Sequence, residues 1–112
     1  MLFCCDTGYD QKFYQNLGNL FGPIDVLFIN IGAYYFEPLF DKTNFHTTPE
    51  EALYIAQDFK AKKTIGMHWG TFVLSFEDFM DPKIRFLNSD VNYDIKNRII
   101  FDISETKDLN NL

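Results

Sequence analysis

Histidine is scarce in this chain: its 112 residues contain two, His46 and His68. A metal centre made of imidazoles alone is therefore excluded, because zinc normally needs three or more protein ligands. Cysteine is equally scarce, and Cys4 and Cys5 are neighbours. A bridge between adjacent cysteines is strained, so no disulfide framework is expected and a reducing cytoplasm is the simplest reading. No apolar run approaches about 18 residues and no signal-peptide pattern occurs, so neither a membrane-spanning helix nor secretion is expected. Positive charge is also short, with 10 Lys and Arg against 16 Asp and Glu and a net charge of −6. Only Lys60, Lys62 and Lys63 cluster. No nucleic-acid partner and no strongly basic membrane-binding surface is expected.

Apolar residues are plentiful. They make up 46% of the chain, which excludes disorder, since a disordered chain cannot bury enough apolar surface. The length suits one domain or less. Thirteen phenylalanines in so short a chain predict a buried sheet and an apolar face left for an interface.

The order of elements reads as α/β. Leu2–Cys5 is a short apolar run ending in the turn-like Asp6-Thr7-Gly8. A helix is predicted from Asp10 to Leu20, with Asp10 as N-cap and Gly22-Pro23 as the stop. Phe13, Leu17, Leu20 and Phe21 share one face of it, and Gly18 inside it costs about 1 kcal/mol against alanine. Val26–Ile29, extended by Ile31, reads as a strand buried on both faces. An aromatic-rich irregular stretch runs from Ala33 to Thr47, and loops of this length usually serve a function. Thr48-Pro49-Glu50-Glu51 then starts a helix with an N-cap, a first-turn proline and a capping-box glutamate. Ala52, Ile55, Ala56 and Phe59 form its inward face, and Lys62 and Lys63 are expected at its C-terminal dipole. Thr64–Met67 is a strand leading to His68-Trp69-Gly70. The expected domain covers residues 1–82, followed by a divergent tail, 83–112, with one strand at Ile99–Ile103.

Ligands in open α/β sheets bind beyond the carboxyl ends of strands, where Asp6 and His68 both fall. They are 62 positions apart, so only the fold can bring them together. Taken singly, each has a plainer reading. Asp6 suits a turn-stabilising hydrogen bonder, His68 a packed residue beside Trp69, and His46 a group contacting the start of the following helix. The cysteines suit small buried apolar groups, with thiolate ligation by Cys5 the sharper alternative.

Five blocks occur in a fixed order: Asp6-Thr7-Gly8-Tyr9, Phe21-Gly22-Pro23-Ile24-Asp25, Ile31-Gly32-Ala33-Tyr34, His46 with Pro49-Glu50-Glu51-Ala52, and His68-Trp69-Gly70-Thr71-Phe72. That order resembles the C-terminal half of the N-acyl-phosphatidylethanolamine-hydrolysing phospholipase D family and its bacterial relatives, within the metallo-β-lactamase superfamily. The resemblance runs from about Phe3 to Pro82. It implies the C-terminal half of an αββα sandwich and a two-zinc hydrolase acting on a phospholipid or other phosphodiester. By that resemblance Asp6 bridges two zinc ions, His68 binds one of them, and His46 lies on the substrate side as a catalytic candidate. A carboxylate can span a metal pair, which one imidazole cannot do, and metal-bound hydroxide would be the nucleophile.

The family's His-x-His-x-Asp-His cluster has no counterpart here, because neither histidine precedes Asp6. The expectation is therefore a truncated or split hydrolase, inactive alone. Its open sheet face would pair with a separately encoded N-terminal half or a second copy of the chain. Cys5 stands where the family usually has glycine, which would crowd the turn that aims Asp6. The competing expectations are a degenerate non-catalytic remnant or interaction module, and a flavodoxin-like binding domain. Asp6 and Asp10 beside the first helix argue against the last, since they would repel a phosphate. The expected location is cytoplasmic, with peripheral contact to a membrane.

Overall fold

The structure is a computed structural model that describes residues 1–36 and 45–112. The middle of the predicted irregular stretch, 37–44, lies outside the described residues. Four strands form one parallel sheet in the order β1 (Leu2–Cys4), β2 (Val26–Asn30), β3 (Lys63–Met67) and β4 (Arg98–Ile100). Helices α1 (Gln11–Phe21), α2 (Pro49–Asp58) and α3 (Asp81–Asn88) connect successive strands. Because the sheet grows in one direction and parallel crossovers keep one hand, every helix falls on the same face. One β layer and one α layer result, which is half of an αββα sandwich.

Local signals explain the element ends. The Asp10 side chain accepts from the Phe13 amide at 3.0 Å and starts α1. The Thr48–Glu51 capping box is complete: the Thr48 amide donates to Glu51 Oε1 at 3.0 Å and the Glu51 amide to Thr48 Oγ1 at 3.2 Å. Helix α2 ends at Asp58, earlier than the placement of Lys62 and Lys63 on its last turn requires. Lys60 takes φ 51°, and Lys60 and Ala61 amides return to the Gln57 and Ala56 carbonyls, a Schellman stop. Lys62 instead pairs with Asp25 at 2.7 Å on the surface, and Lys63 opens β3.

The core lies between the sheet and the helices. Ala52, Ile55, Ala56 and Phe59 are buried in one core with Leu27 and Ile29, as the predicted inward face of α2 requires, and Leu53 joins them. The predicted face of α1 needs correction. Tyr14 and Gly18 are its buried residues, whereas Phe13, Leu20 and Phe21 are exposed. The reason is Gly18, which lets α1 rest directly on the backbone at the end of α2: a Cβ there would lie 1.8 Å from the Asp58 carbonyl oxygen.

After Pro82 the chain adds to the same sheet. Helix α3, which the sequence reading does not anticipate, buries Phe86 completely. The predicted strand at Ile99–Ile103 is β4, shifted to Arg98–Ile100 and paired with β3. Arg98 is buried and its guanidinium donates to the carbonyls of Phe86, Ser89, Val91 and Tyr93.

On the side away from the helices, strand register aligns Phe3, Phe28, Ile65 and Ile99 in one row. Phe3 stacks on Phe28 with ring centres 4.2 Å apart, yet Phe3 remains 55% exposed. Along this row exposure falls inward from the edge: Phe28 and Ile99 are half-buried and Ile65 is buried. No helix among the described residues is long and apolar enough to cross a membrane.

Candidate metal centre

Two strand ends and one loop converge at the carboxyl edge of the sheet. Asp6 follows β1, His68 follows β3, and His46 precedes α2. Their candidate ligand atoms all lie within 4.8 Å of one another. Asp6 Oδ1 is 3.3 Å from His68 Nε2 and 3.8 Å from His46 Nδ1. The two imidazole rings face each other at 4.8 Å between centres.

The Asp6–His68 distance suits two ligands of one metal ion as well as an ion pair. Ligand bonds of about 2.0–2.1 Å in a tetrahedron separate the ligand atoms by roughly 3.3–3.4 Å. The Asp6–His68 pair already has that spacing, and the His46 contact is a few tenths of an ångström wider. The electrostatics agree. Burial, followed by the neighbouring His68, lowers the His46 pKa below its usual 6.5, against weaker opposing pulls from Asp6 and Glu77. His46 is thereby held towards neutral imidazole, the form that ligates. Its Nδ1 is buried and has no hydrogen-bond partner. A buried polar atom of this kind requires an explanation, and a metal ion at this point supplies one.

Backbone conformation aims His68. It has φ 65°, in the left-handed region, and Gly70 follows at φ 76°. Such a conformation costs a non-glycine residue roughly 1–2 kcal/mol, and strain of this kind collects at functional sites. Trp69 between them packs on the core. Beside it lies a pocket lined by Gly32, His68, Trp69, Phe72, Leu74 and Glu77, among others.

Several supporting residues went unrecognised in the sequence. Glu77 accepts the amides of Ala33, Tyr34 and Tyr35 at 3.0–3.2 Å, and Ser75 donates to it as well. It fixes the turn after β2. Tyr34 donates to Asp81, and its ring lies beneath Arg85, which also pairs with Glu50 at 2.6 Å. Asn30 and Thr47 are buried polar residues at the same sheet edge. Asn30 carried a readable signal, since a lone amide within the apolar run Val26–Ile31 must find partners. Glu77 carried none, because the three amides it accepts are backbone groups more than 40 residues away.

The chain thus presents a one-sided parallel sheet with a carboxylate and two imidazoles grouped at its carboxyl edge. The model of the β-lactamase superfamily domain matches residues 1–69, and the chain belongs to that superfamily, with its metallo-β-lactamase-type fold. Among relatives, it is 34% identical over 79 residues to N-acyl-phosphatidylethanolamine-hydrolyzing phospholipase D 1 of Caenorhabditis elegans, covering 70% of this chain and 22% of that protein. It is 37% identical over 79 residues to the mitochondrial N-acyl-phosphatidylethanolamine-hydrolyzing phospholipase D of Saccharomyces cerevisiae, covering 70% of this chain and 16% of that protein. An uncharacterized protein of Mycobacterium tuberculosis is 34% identical over 85 residues, 73% of this chain and 22% of its own length. The chain thus spans less than a quarter of the length of these curated relatives.

Proposed function

We propose that this chain carries part of the metal site of a zinc-dependent phosphodiesterase of the phospholipase D type, with an N-acyl-phosphatidylethanolamine-like lipid as substrate. The observation that carries the reading is the convergence of Asp6, His46 and His68 around a buried, unpartnered imidazole nitrogen. Asp6 and His68 would hold zinc, with Asp6 able to bridge two ions. When bound, zinc supplies Lewis-acid polarisation of a phosphoryl oxygen and a water acidic enough to ionise near neutrality.

The chain's own groups have separate tasks. Neutral His46 keeps the Nδ1 lone pair towards the centre and its proton on Nε2. There it can donate to a phosphate oxygen or stabilise a departing alkoxide. Trp69, Phe72 and Leu74 form an apolar wall beside His68, suited to the acyl part of a lipid. Among the described residues, the donor set of one carboxylate and two imidazoles is short of a two-ion centre. The remaining ligands would come from a histidine cluster outside residues 1–112, in a separately encoded N-terminal half, or from a second copy of this chain. Phe3, exposed on the edge strand, is where that second layer would begin to pack. Alone, the chain would hydrolyse little. We place it in the cytoplasm, in peripheral contact with lipid. The alternative is a non-catalytic remnant or interaction module, favoured by a ligand set of three among the described residues.

Zinc titration by calorimetry tests the proposal, using the chain beside Asp6→Ala and His68→Ala. Micromolar binding that weakens at least about tenfold in both variants supports it. Weak binding indifferent to either substitution means that the residues remain without their metal, and the remnant reading stands.

A further inference from the structure

Asn30 ends β2 and is fully buried, in a strand whose other side chains are apolar. In the amide orientation that satisfies both ends, its Nδ2 donates to the Cys5 carbonyl at 3.1 Å and its Oδ1 accepts from the Thr47 amide at 3.0 Å. The Thr47 hydroxyl closes the link by donating to the Asn30 carbonyl at 2.6 Å. Cys5 immediately precedes Asp6, and Thr47 immediately follows His46. One side chain therefore joins the two segments that carry a carboxylate and an imidazole of the candidate centre. The next residues of the same strand edge fix the third group. The Ile31 amide donates to the Met67 carbonyl at 2.9 Å, and Gly32 lies against the His68 carbonyl.

We infer that Asn30 is the positioning residue of this centre, setting Asp6 and His46 at their mutual distance while the backbone after it sets His68. The inference rests on the proposed metal-site reading, but its structural part is independent of metal. A planar amide offers a donor at one end and an acceptor at the other, which is what a carbonyl on one side and an amide on the other require. Leucine matches the shape and does neither. Aspartate keeps the acceptor towards Thr47 and loses the donor to Cys5.

The test compares the wild-type chain with Asn30→Leu and Asn30→Asp by NMR without metal, then by zinc calorimetry. In Asn30→Leu the nuclear Overhauser contacts between the His46 and His68 rings should fall by at least about half. Exchange of the Thr47 amide should rise at least about tenfold, with the Phe3–Phe28 ring contacts and the Ile29 and Ile65 amides unchanged. Asn30→Asp should preserve the Thr47 amide and disturb the Cys5–Asp6 backbone shifts, which keeps the idea open to refutation if the leucine variant does not fold. Zinc affinity should drop at least about tenfold in both. Unchanged ring contacts and Thr47 exchange would overturn the inference, as would a uniform loosening that includes the Phe3–Phe28 stack. A wild-type chain that binds no zinc overturns the metal reading instead, and the ring contacts still decide for or against Asn30.

Discussion

Gly32 lies so close to His68 that a Cβ on it would stand 2.2 Å from the His68 carbonyl oxygen. The obstacle is backbone, so no rotamer change relieves it. Gly32→Ala should shift the turn that holds His68 at φ 65° and cost about 1–3 kcal/mol, as overpacked sites do. Zinc affinity should fall with it, by at least about tenfold. Thermal melting and calorimetry on the same sample check both, and wild-type affinity in this variant would mean that the approach does not aim the imidazole.

Gly18 gives a test in which two effects have opposite signs. Alanine improves helix propensity by about 1 kcal/mol. Its Cβ, however, would enter the space of the Asp58 carbonyl oxygen, 1.8 Å away, and α1 would have to move off α2. Steric cost should win, lowering the melting temperature by about 5–10 °C. A higher melting temperature would show that the helices separate freely at this crossing.

Arg98 should be a principal anchor of the C-terminal segment. Its replacement by methionine leaves the carbonyls of Phe86, Ser89, Val91 and Tyr93 without their donor, at 2.7–3.1 Å in the native chain. Unsatisfied buried groups cost about 1–3 kcal/mol each, so a loss of about 3 kcal/mol or more is expected. Lysine should not restore it, since one ammonium cannot serve all four. Denaturant melts of the two variants provide the comparison, and near-wild-type midpoints in both would refute the anchor.

The adjacent cysteines should differ in reactivity. Burial, then the neighbouring Cys5, pushes the Cys4 thiol up to about 11, while Cys5 is solvent-exposed. Thiolate is the reactive form. Iodoacetamide at pH 8 should label Cys5 at least about tenfold faster than Cys4, as located by peptide mass spectrometry. Equal rates at the two positions would contradict the burial of Cys4.

The metal-free chain should lose stability in mild acid. Burial and His68 hold the folded-state pKa of His46 below the unfolded value of 6.5. Its contribution is therefore complete above 6.5 and is lost as pH falls from there through the lower folded pKa. Melting temperatures between pH 8 and 5 should decline, and His46→Gln should flatten the decline. An equal slope in that variant would assign the effect to other groups.

The sequence alone settled the features that depend on neighbours in the chain. Thr48, Pro49 and Glu51 wrote the start of α2 because a capping box closes within three residues. The alternation of apolar strand and amphipathic helix gave an α/β sheet, and the five ordered blocks gave the family and the candidates Asp6, His46 and His68. Local pattern could not say which side of α1 faces inward, because Gly18 permits a close crossing that leaves Leu17 against the core and Phe13, Leu20 and Phe21 outside. Nor could it foresee α3, or the carbonyl cage of Arg98 that ties the end of α3 and the loop after it to β4. Tertiary structure alone decided the site's geometry, because Asp6 and His68 are 62 positions apart in the chain and 3.3 Å apart in the fold. Parallel strand pairing brought their strand ends to one edge. The groups that hold them there, Asn30, Gly32 and Glu77, meet distant backbone atoms, and a sequence does not show which backbone atoms the fold will bring to them.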